Sequence, residues 1–316
     1  MEVPPSYPPP PDQPPTGFEP VPAIDSPAQL QGQYRVSRNL WLVISAVVVV
    51  VTLLVGAIGY IFAGYAYTSS RISNAAGAVS AVNSHRSLVN TTFALLDEQV
   101  ASLETMTDNK LAKSTSGKIV AESQTMSTTI AGDDDALVTA RSRLHDQQWL
   151  TRISTGRLTA EAGRIDRARE AVATARSAAR DYVQFGGFLQ VYYQALIDWD
   201  TMVADANIND FVGTTGADSA LQADAAAALG VSNAPGLPKE FHDYLIALQV
   251  YAADVARLLN AISTRDQAAL DTANKLVLAD VATLNAVDFT ATTAKIRSYY
   301  QRYRDDFNAQ MDKAAA

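Results

Sequence analysis

Hydrophobic residues are distributed unevenly along the chain. The longest apolar run is Leu40–Tyr65, with no charged residue over 26 positions. As an α-helix this run would be about 39 Å long, more than the roughly 30 Å of hydrocarbon in a bilayer. Trp41 lies at one end and Tyr65 and Tyr67 at the other, where amphipathic rings favour the membrane interfaces. A buried helix of a soluble protein would normally show a polar face, and this run has none. The pattern predicts a single transmembrane helix at residues 39–67.

After this run, apolar residues recur at alternating spacings of three and four, as on one face of a long amphipathic helix. The stripe consists of Ile72, Ala75, Val79, Val82, Val89, Phe93, Leu96, Val100 and Leu103, and Arg86 interrupts it. Such a seam is typical of a coiled coil. It could pack inside the chain or form the interface of a homo-oligomer, and the sequence leaves both open.

The most aromatic stretch is DYVQFGGFLQVYYQALIDWD at residues 181–200. Its large side chains again follow the helical spacing, at Tyr182, Phe185, Leu189, Tyr192, Leu196, Trp199 and Val203. Asp181 and Asp198 leave 16 uncharged residues between them, too few to cross a bilayer as a helix. The pattern therefore predicts a core helix. The alternative is a ligand pocket lined by Phe185, Tyr192 and Trp199, because aromatic residues commonly line ligand sites.

A run of three carboxylates, Asp133–Asp135, directly follows Gly132. Three carboxylates could hold a metal ion, but a helix N-terminus also favours negative charge and capping side chains. We predict that Gly132 ends one helix and that the carboxylates cap the next. The helical pattern of that next helix continues to Val203 without a proline.

Three more helices are indicated near the C-terminus. Pro238 is placed to begin one, and Thr264 with Gln267 forms a capping box for the next. The last helix carries a stripe of Ile296, Tyr300, Tyr303 and Phe307. Residues 68–316 are therefore predicted to form an extended helical bundle, and the fold class to be all-α.

Residues 1–38 contain eleven of the thirteen prolines of the chain. Repeated prolines favour polyproline II and leave few side chains for a core, so we expect a disordered Pro-rich tail. Pro4–Tyr7, PPSY, matches the pattern that WW domains bind, although such matches arise by chance in proline-rich segments. A solvated tail is the preferred interpretation over a docking peptide.

Charges next to the apolar run indicate its orientation. Arg35 and Arg38 precede the run, whereas only Arg71 lies close on the other side. Positive residues are enriched on the cytoplasmic side of membrane helices. We therefore expect a single-pass protein of the cell membrane with the N-terminus in the cytoplasm and residues 68–316 outside it.

Composition excludes some classes of function. The net charge of −8 argues against nucleic-acid binding, which requires a basic face. There is no cysteine, and only His85, His145 and His242 could supply imidazole. Catalytic motifs and nucleotide-binding glycine loops are missing from the sequence, so neither an enzyme nor a cofactor is expected.

One loop has the beginning of a calcium-binding pattern, since Asp205, Asn207 and Asn209 fall at alternate positions. The pattern then fails, because Asp210 occupies the position of the required glycine and Gly216 that of the bidentate glutamate. We interpret this segment as an ordinary loop between helices and predict no metal site.

A basic-aromatic face is predicted on the last helix. Lys295, Arg297, Arg302 and Arg304 interleave there with Tyr299. A solvated face is the simplest interpretation. Binding of an anionic polymer or of lipid headgroups is the alternative, with these four cations as its candidate residues.

Together these features predict a membrane-anchored interaction or scaffold protein of the cell envelope. Its helical part would bind a protein or polymer partner without catalysis. The alternative is an extracytoplasmic ligand-binding sensor that works with a separate signalling partner.

Overall fold

The computed structural model describes residues 38–146, 152–287 and 289–316. Within these ranges the chain is all-α and contains no strand, which confirms the predicted class. The helices are α1 (Arg38–Leu103), α2 (Asn109–His145), α3 (Thr155–Asn207), α4 (Phe211–Gly230), α5 (Lys239–Thr264), α6 (Gln267–Asn285) and α7 (Phe289–Ala315), with a 3-10 turn at Arg152–Ser154 directly before α3. The predicted disordered tail lies outside the described residues, apart from Arg38 at the start of α1.

The chain divides into two compact units, Met1–Gly59 and Tyr60–Ala316. By length and composition, two segments among the described residues could cross a membrane, Val49–Leu103 and Lys239–Thr264, which indicates an association with membranes. They differ in burial, because 6% of the most apolar window is buried in the first and 39% in the second.

One half of the second unit is a bundle of α1 from Tyr60 onward, α2, α7 and the first part of α3, here called the first bundle. Polar contacts join its helices: Arg86 of α1 pairs with Asp312 of α7 at 2.6 Å, and Arg141 of α2 with Asp166 of α3 at 2.8 Å. The predicted seam of α1 is buried inside this bundle from Ala75 to Val100. The seam therefore packs within the chain, while a homo-oligomer stays a prediction.

The other half consists of α4, α5, α6 and the last part of α3, here called the second bundle. Successive helices pack side by side, α3 on α4, α4 on α5 and α5 on α6. The predicted core stripe of α3 is buried from Tyr182 to Tyr192, and α5 is buried along Phe241, Leu245, Leu248, Ala252 and Val255. Because α3 belongs to both bundles, its 53 residues connect their cores.

The predicted helix start at Asp133–Asp135 is wrong. Helix α2 runs through Gly132 and all three carboxylates without interruption. The carboxylates have tertiary partners instead: Asp133 lies 3.0 Å from His85 of α1, and Asp134 lies 3.1 Å from Arg176 of α3. A single glycine weakens a helix by only about 1 kcal/mol, so packing on both sides overrides it.

The predicted continuous helix up to Val203 is also wrong, because α2 ends at His145 and α3 begins at Thr155. The two helices are antiparallel, as Asn109 contacts Asp200 while Arg141 contacts Asp166. The three-four spacing is the same before and after the reversal. With neither proline nor glycine at the turn, periodicity alone did not mark it.

Helix starts near the C-terminus were predicted partly correctly. Pro238 is the N-cap of α5, as expected. The capping box is wrong, because Thr264 is the last residue of α5 and Asp266 caps α6 by accepting from the Ala269 N–H at 3.1 Å. Arg265 adopts a left-handed conformation, φ 56°, which ends α5 at Thr264, and the N-cap of α6 therefore lies two residues later than predicted.

Candidate functional site

A cavity lies where the two bundles meet, at the end of α1 and the beginnings of α5 and α7. Its volume is about 210 Å³. Five aromatic residues line it, Phe185, Tyr192, Tyr193, Phe241 and Phe289, together with aliphatic side chains and one carboxylate, that of Glu104. We call it the junction cavity.

The rings of the junction cavity hold one another in place. Tyr192 meets Phe241 edge to face at a centroid distance of 5.4 Å, and Phe241 meets Phe289 in the same manner at 5.5 Å. Tyr192 also stacks on Phe188 at 5.8 Å. Such aromatic pairs stabilise one relative orientation of the rings, in addition to the stability that comes from burying their apolar surface. The wall of the cavity is therefore preformed.

The phenols of the cavity are neutral at physiological pH. Burial raises the pKa of Tyr192 well above its ordinary value, and burial raises the pKa of Tyr193 to about 12. No lysine or arginine is among the residues that line the cavity. Glu104 is therefore its one side chain that carries a charge.

Of the three predicted pocket residues, the structure brings two together. Phe185 and Tyr192 both line the junction cavity. Trp199 lies seven residues further along α3, about 10 Å away along the helix axis, and stacks on Tyr251 of α5 at 4.7 Å. Trp199 therefore packs α3 against α5 and is not part of this cavity.

A buried aspartate near the cavity was not predicted as a functional group. Asp181 of α3 is 2% exposed. Its carboxylate accepts hydrogen bonds from the hydroxyls of Tyr303 at 2.6 Å and Tyr299 at 3.1 Å, both on α7. The sequence signal was a charge at the edge of an apolar stripe, which requires a partner when buried. We call Asp181, Tyr299 and Tyr303 the tyrosine latch.

The ring beside the latch connects three segments. Tyr300 of α7 stacks on Tyr182 of α3 at a centroid distance of 3.8 Å. Its hydroxyl donates to the carbonyl of Pro235 in the loop between α4 and α5, at 2.9 Å. Gly236 in that loop has φ +76°, and a Cβ there would lie 2.5 Å from the Tyr299 ring. The latch and Tyr300 together therefore hold α7 against α3 and against the loop that precedes α5.

The four predicted anion-binding cations lie on α7 in different environments. Lys295 forms an ion pair with Glu240, and Arg304 pairs with a carboxylate of α1 at 3.2 Å. Arg302 lies over a tyrosine ring of its own helix, 5.2 Å from the centroid, and Arg297 is exposed. Two of the four cations therefore already have anionic partners within the chain.

An apolar groove of about 380 Å³ lies at the end of the second bundle, lined by residues of α3, α4, α5 and α6. At and beside the α3–α4 turn, three large apolar side chains are exposed: Ile208 by 73%, Phe211 by 52% and Val212 by 85%. Phe211 also lines the groove. We call these three residues the apolar tip.

The turn that carries the apolar tip is the segment with the partial calcium pattern. Asn209 has φ 58°, and Asp210 caps α4 by accepting from the Gly213 N–H at 2.9 Å. The carboxylates of Asp205 and Asp210 both lie against Gly213. Across the described residues, no three His, Cys, Asp or Glu side chains are grouped so that they could hold a metal ion. The geometry is that of a capped turn between helices.

Negative charge is concentrated in the segment that contains this turn. Between Asp181 and Pro238 there are six aspartates and no lysine, arginine or glutamate. Burial and the neighbouring carboxyl of Asp224 raise the pKa of Asp198 to about 6. Burial and Asp254 likewise raise the pKa of Asp280. The second bundle therefore carries carboxyl groups that opposing cations do not compensate.

Comparison with known proteins gave no match: no family model, no curated protein and no solved structure is similar to this chain. The junction cavity and the apolar tip are the two features with a defined chemistry.

Proposed function

We propose that the protein is a single-pass, membrane-anchored protein of the cell envelope that binds a protein partner through the end of its second bundle. It acts without catalysis. The apolar tip beside an apolar groove is the observation that carries this proposal. Clustered exposed apolar residues with polar surroundings are typical of protein-binding surfaces.

The single span is supported by the difference between the two apolar segments. The most apolar window in Val49–Leu103 has 6% of its residues buried, so the chain itself leaves most of its apolar side chains exposed. Lys239–Thr264 contributes its apolar stripe to the second bundle, including Leu245 and Leu248, which are fully buried. A membrane would cover the first segment, whereas the fold already covers the second.

The orientation is testable because the chain has no cysteine. A Ser6→Cys variant places one thiol in the N-terminal tail, and Val212→Cys places one at the apolar tip. In intact cells, a membrane-impermeant maleimide should label only the Val212→Cys protein, and lysis should be required for Ser6→Cys. The reverse result would place the second bundle in the cytoplasm and contradict the proposal.

The charge around the tip supports a basic partner segment. Six aspartates and no basic residue lie between Asp181 and Pro238, and five of these aspartates are exposed or half-buried. This surface therefore attracts cations and repels acidic proteins and anionic lipid. The groove accepts apolar side chains. An amphipathic helix with basic residues on its polar face satisfies both requirements.

The test uses a defined peptide and the full chain in detergent. A synthetic helix of leucine and lysine at helical spacing should bind the wild-type protein, and the double variant Ile208→Asp, Val212→Asp should weaken binding about tenfold or more. Leu278→Asp is the matched control, since Leu278 is 61% exposed on α6. A scrambled peptide of the same charge should bind weakly. Equal binding of both peptides would show that charge attraction alone drives binding, and would contradict the proposal that the groove binds an apolar helix face.

A ligand-binding sensor is the second candidate function, and the junction cavity is the observation that favours it. A preformed cavity with one charged group is suited to a small ligand. Because its lining comes from α1, α3, α5 and α7, a bound ligand would contact both bundles at once. Its signal would then pass to a separate protein.

A further inference from the structure

We infer that the junction cavity is a binding site for a small organic cation, an amine or a quaternary ammonium ion. This inference is independent of the partner surface at the apolar tip. It rests on the second candidate function and gives it a ligand class. Three features of the cavity carry it: its aromatic lining, its carboxylate and its size.

Five of the eleven residues that line the cavity are aromatic. The face of an aromatic ring carries partial negative charge and attracts a cation within about 6 Å of its centroid. Two of the five rings are tyrosines whose hydroxyl protons are retained, because burial raises the pKa of Tyr192 and Tyr193. Tyr193 and Phe289 are the half-buried members of the five, so they offer accessible ring surface to a cation without the desolvation cost of several buried charges.

Glu104 supplies the opposite charge. It follows the last residue of α1, and its backbone N–H bonds to the Ala101 carbonyl at 3.2 Å. The C-terminal end of a helix is the negative end of its dipole and favours a cation. No ion pair within the described residues neutralises Glu104. Glu104 is exposed, so an ammonium group in the cavity would meet an unpaired carboxylate at the solvent-facing edge of the lining.

The other charges near the cavity mouth have partners. Helices α5 and α7 begin there, and their N-terminal ends favour anions. Glu240 in the first turn of α5 pairs with Lys295 of α7. One negative and one positive charge therefore lie beside the N-terminal ends of these helices. Among the lining residues, Glu104 alone contributes a charge, and that charge is negative. The cavity therefore prefers a cation over an anion.

The size of the cavity restricts the ligand. At about 210 Å³ it is smaller than the roughly 300–1,000 Å³ of sites for drug-sized molecules. Alkylammonium ions with a short chain match this volume. Lipids and long peptides do not.

The test is calorimetry on the full chain in detergent with choline and its neutral carbon isostere, 3,3-dimethylbutan-1-ol. The two probes have the same shape and differ in charge. Choline should bind about tenfold or more tightly than the neutral alcohol, the factor that a desolvated cation–aromatic contact supplies. Benzoate should not compete. No binding of choline, equal binding of the alcohol, or preference for benzoate would each overturn the inference.

Variants then locate the site. Glu104→Gln should weaken choline binding about fivefold or more, by removing the charge without changing the shape. Glu98→Gln is the matched control, an exposed carboxylate of α1 that does not line the cavity. Tyr193→Leu should weaken choline binding and leave the alcohol unchanged. Loss of binding in Glu98→Gln to the same degree would mean general surface attraction and would contradict the site. The double variant at the apolar tip should bind choline normally, so the two proposals fail separately.

Discussion

The first and second bundles share α3 but use charge differently. In the first bundle, charged side chains pair between helices, as Arg86 does with Asp312 and Arg141 with Asp166. Within the described residues, no ion pair joins α4, α5 or α6 to one another or to α3. Carboxyl groups face each other there instead, Asp198 with Asp224 between α3 and α4. Ion pairs between helices thus occur in the first bundle, whereas those within α4, α5 and α6 of the second bundle join residues of one helix, as Lys239 does with Asp243.

This difference connects stability to the proposed binding. Uncompensated carboxylates destabilise a folded surface through repulsion, and a basic partner relieves that repulsion when it binds. A half that pairs its charges internally gains little from such a partner. The concentration of aspartate near the apolar tip is therefore consistent with a surface that is completed by another molecule.

The largest expected effect concerns the packing of α3, the helix that belongs to both bundles, against α2. Gly186 packs against α2, and an added Cβ would lie 2.8 Å from Val120 Cγ2 and 3.1 Å from the Ser116 carbonyl oxygen. Gly186→Ala should therefore lower the free energy of unfolding by about 1–3 kcal/mol, as overpacked cores do. Gly187→Ala is the matched control, because no atom lies within 4 Å of its Cβ position.

Gly187→Ala should change stability in the opposite direction, by about 0.5–1 kcal/mol, since alanine favours a helix more than glycine. Denaturant unfolding of the full chain in detergent measures both variants. If both glycines behaved alike, the close approach of α2 to α3 would be wrong.

The next effect concerns the tyrosine latch. Asp181→Asn keeps the shape but removes the charge that Tyr299 and Tyr303 share, so stability should fall by about 1–3 kcal/mol. Asp200→Asn, at an exposed position of the same helix, should change stability by less than about 0.5 kcal/mol. Hydrogen exchange should show that the loss is concentrated in α7. A uniform loss across all helices would contradict a local latch.

A smaller effect follows from the carboxyl pair of the second bundle. The pKa of Asp198 is raised to about 6 in the folded chain, against about 3.9 in an unfolded chain. The folded state therefore binds the proton more tightly, and stability should increase as pH falls from about 7 to about 4. Gln194, Lys113 and Asp224 are the polar groups that act on it.

Asp198→Asn should raise stability at about pH 7.5 and reduce the gain on acidification, because an amide does not titrate. Thermal unfolding of the variant and the wild type at both pH values measures this. Asp166→Asn, on the same helix but paired with Arg141, is the control and should not be stabilised at neutral pH. An unchanged pH profile in Asp198→Asn would contradict the assignment.

The smallest effect is that of salt. Salt screens the attraction of exposed ion pairs and the repulsion of like charges alike. A higher salt concentration should slightly lower hydrogen-exchange protection in α2 and slightly increase protection in α4, each by a few tenths of a kcal/mol. Changes of the same sign in both helices would remove the proposed contrast between the bundles.

Local periodicity was sufficient for much of the fold. The seam of α1 and the stripe of Ile296, Tyr300, Tyr303 and Phe307 were predicted, and their side chains are buried or half-buried. The reason is that burial of one face depends on residues three and four apart, which the sequence itself specifies. The all-α class followed from the same regularity, together with the scarcity of proline after Pro27.

Tertiary contacts decided what periodicity could not specify. Helix α2 continues through Gly132 because carboxylates there meet side chains of α1 and α3. The latch joins Asp181 to hydroxyls 118 and 122 residues away, a separation that no local pattern reports. Phe185 and Tyr192 line a cavity whereas Trp199, on the same stripe, does not, because the helices that face α3 change along its length. Sequence determined which faces are buried, and the structure determined which faces meet.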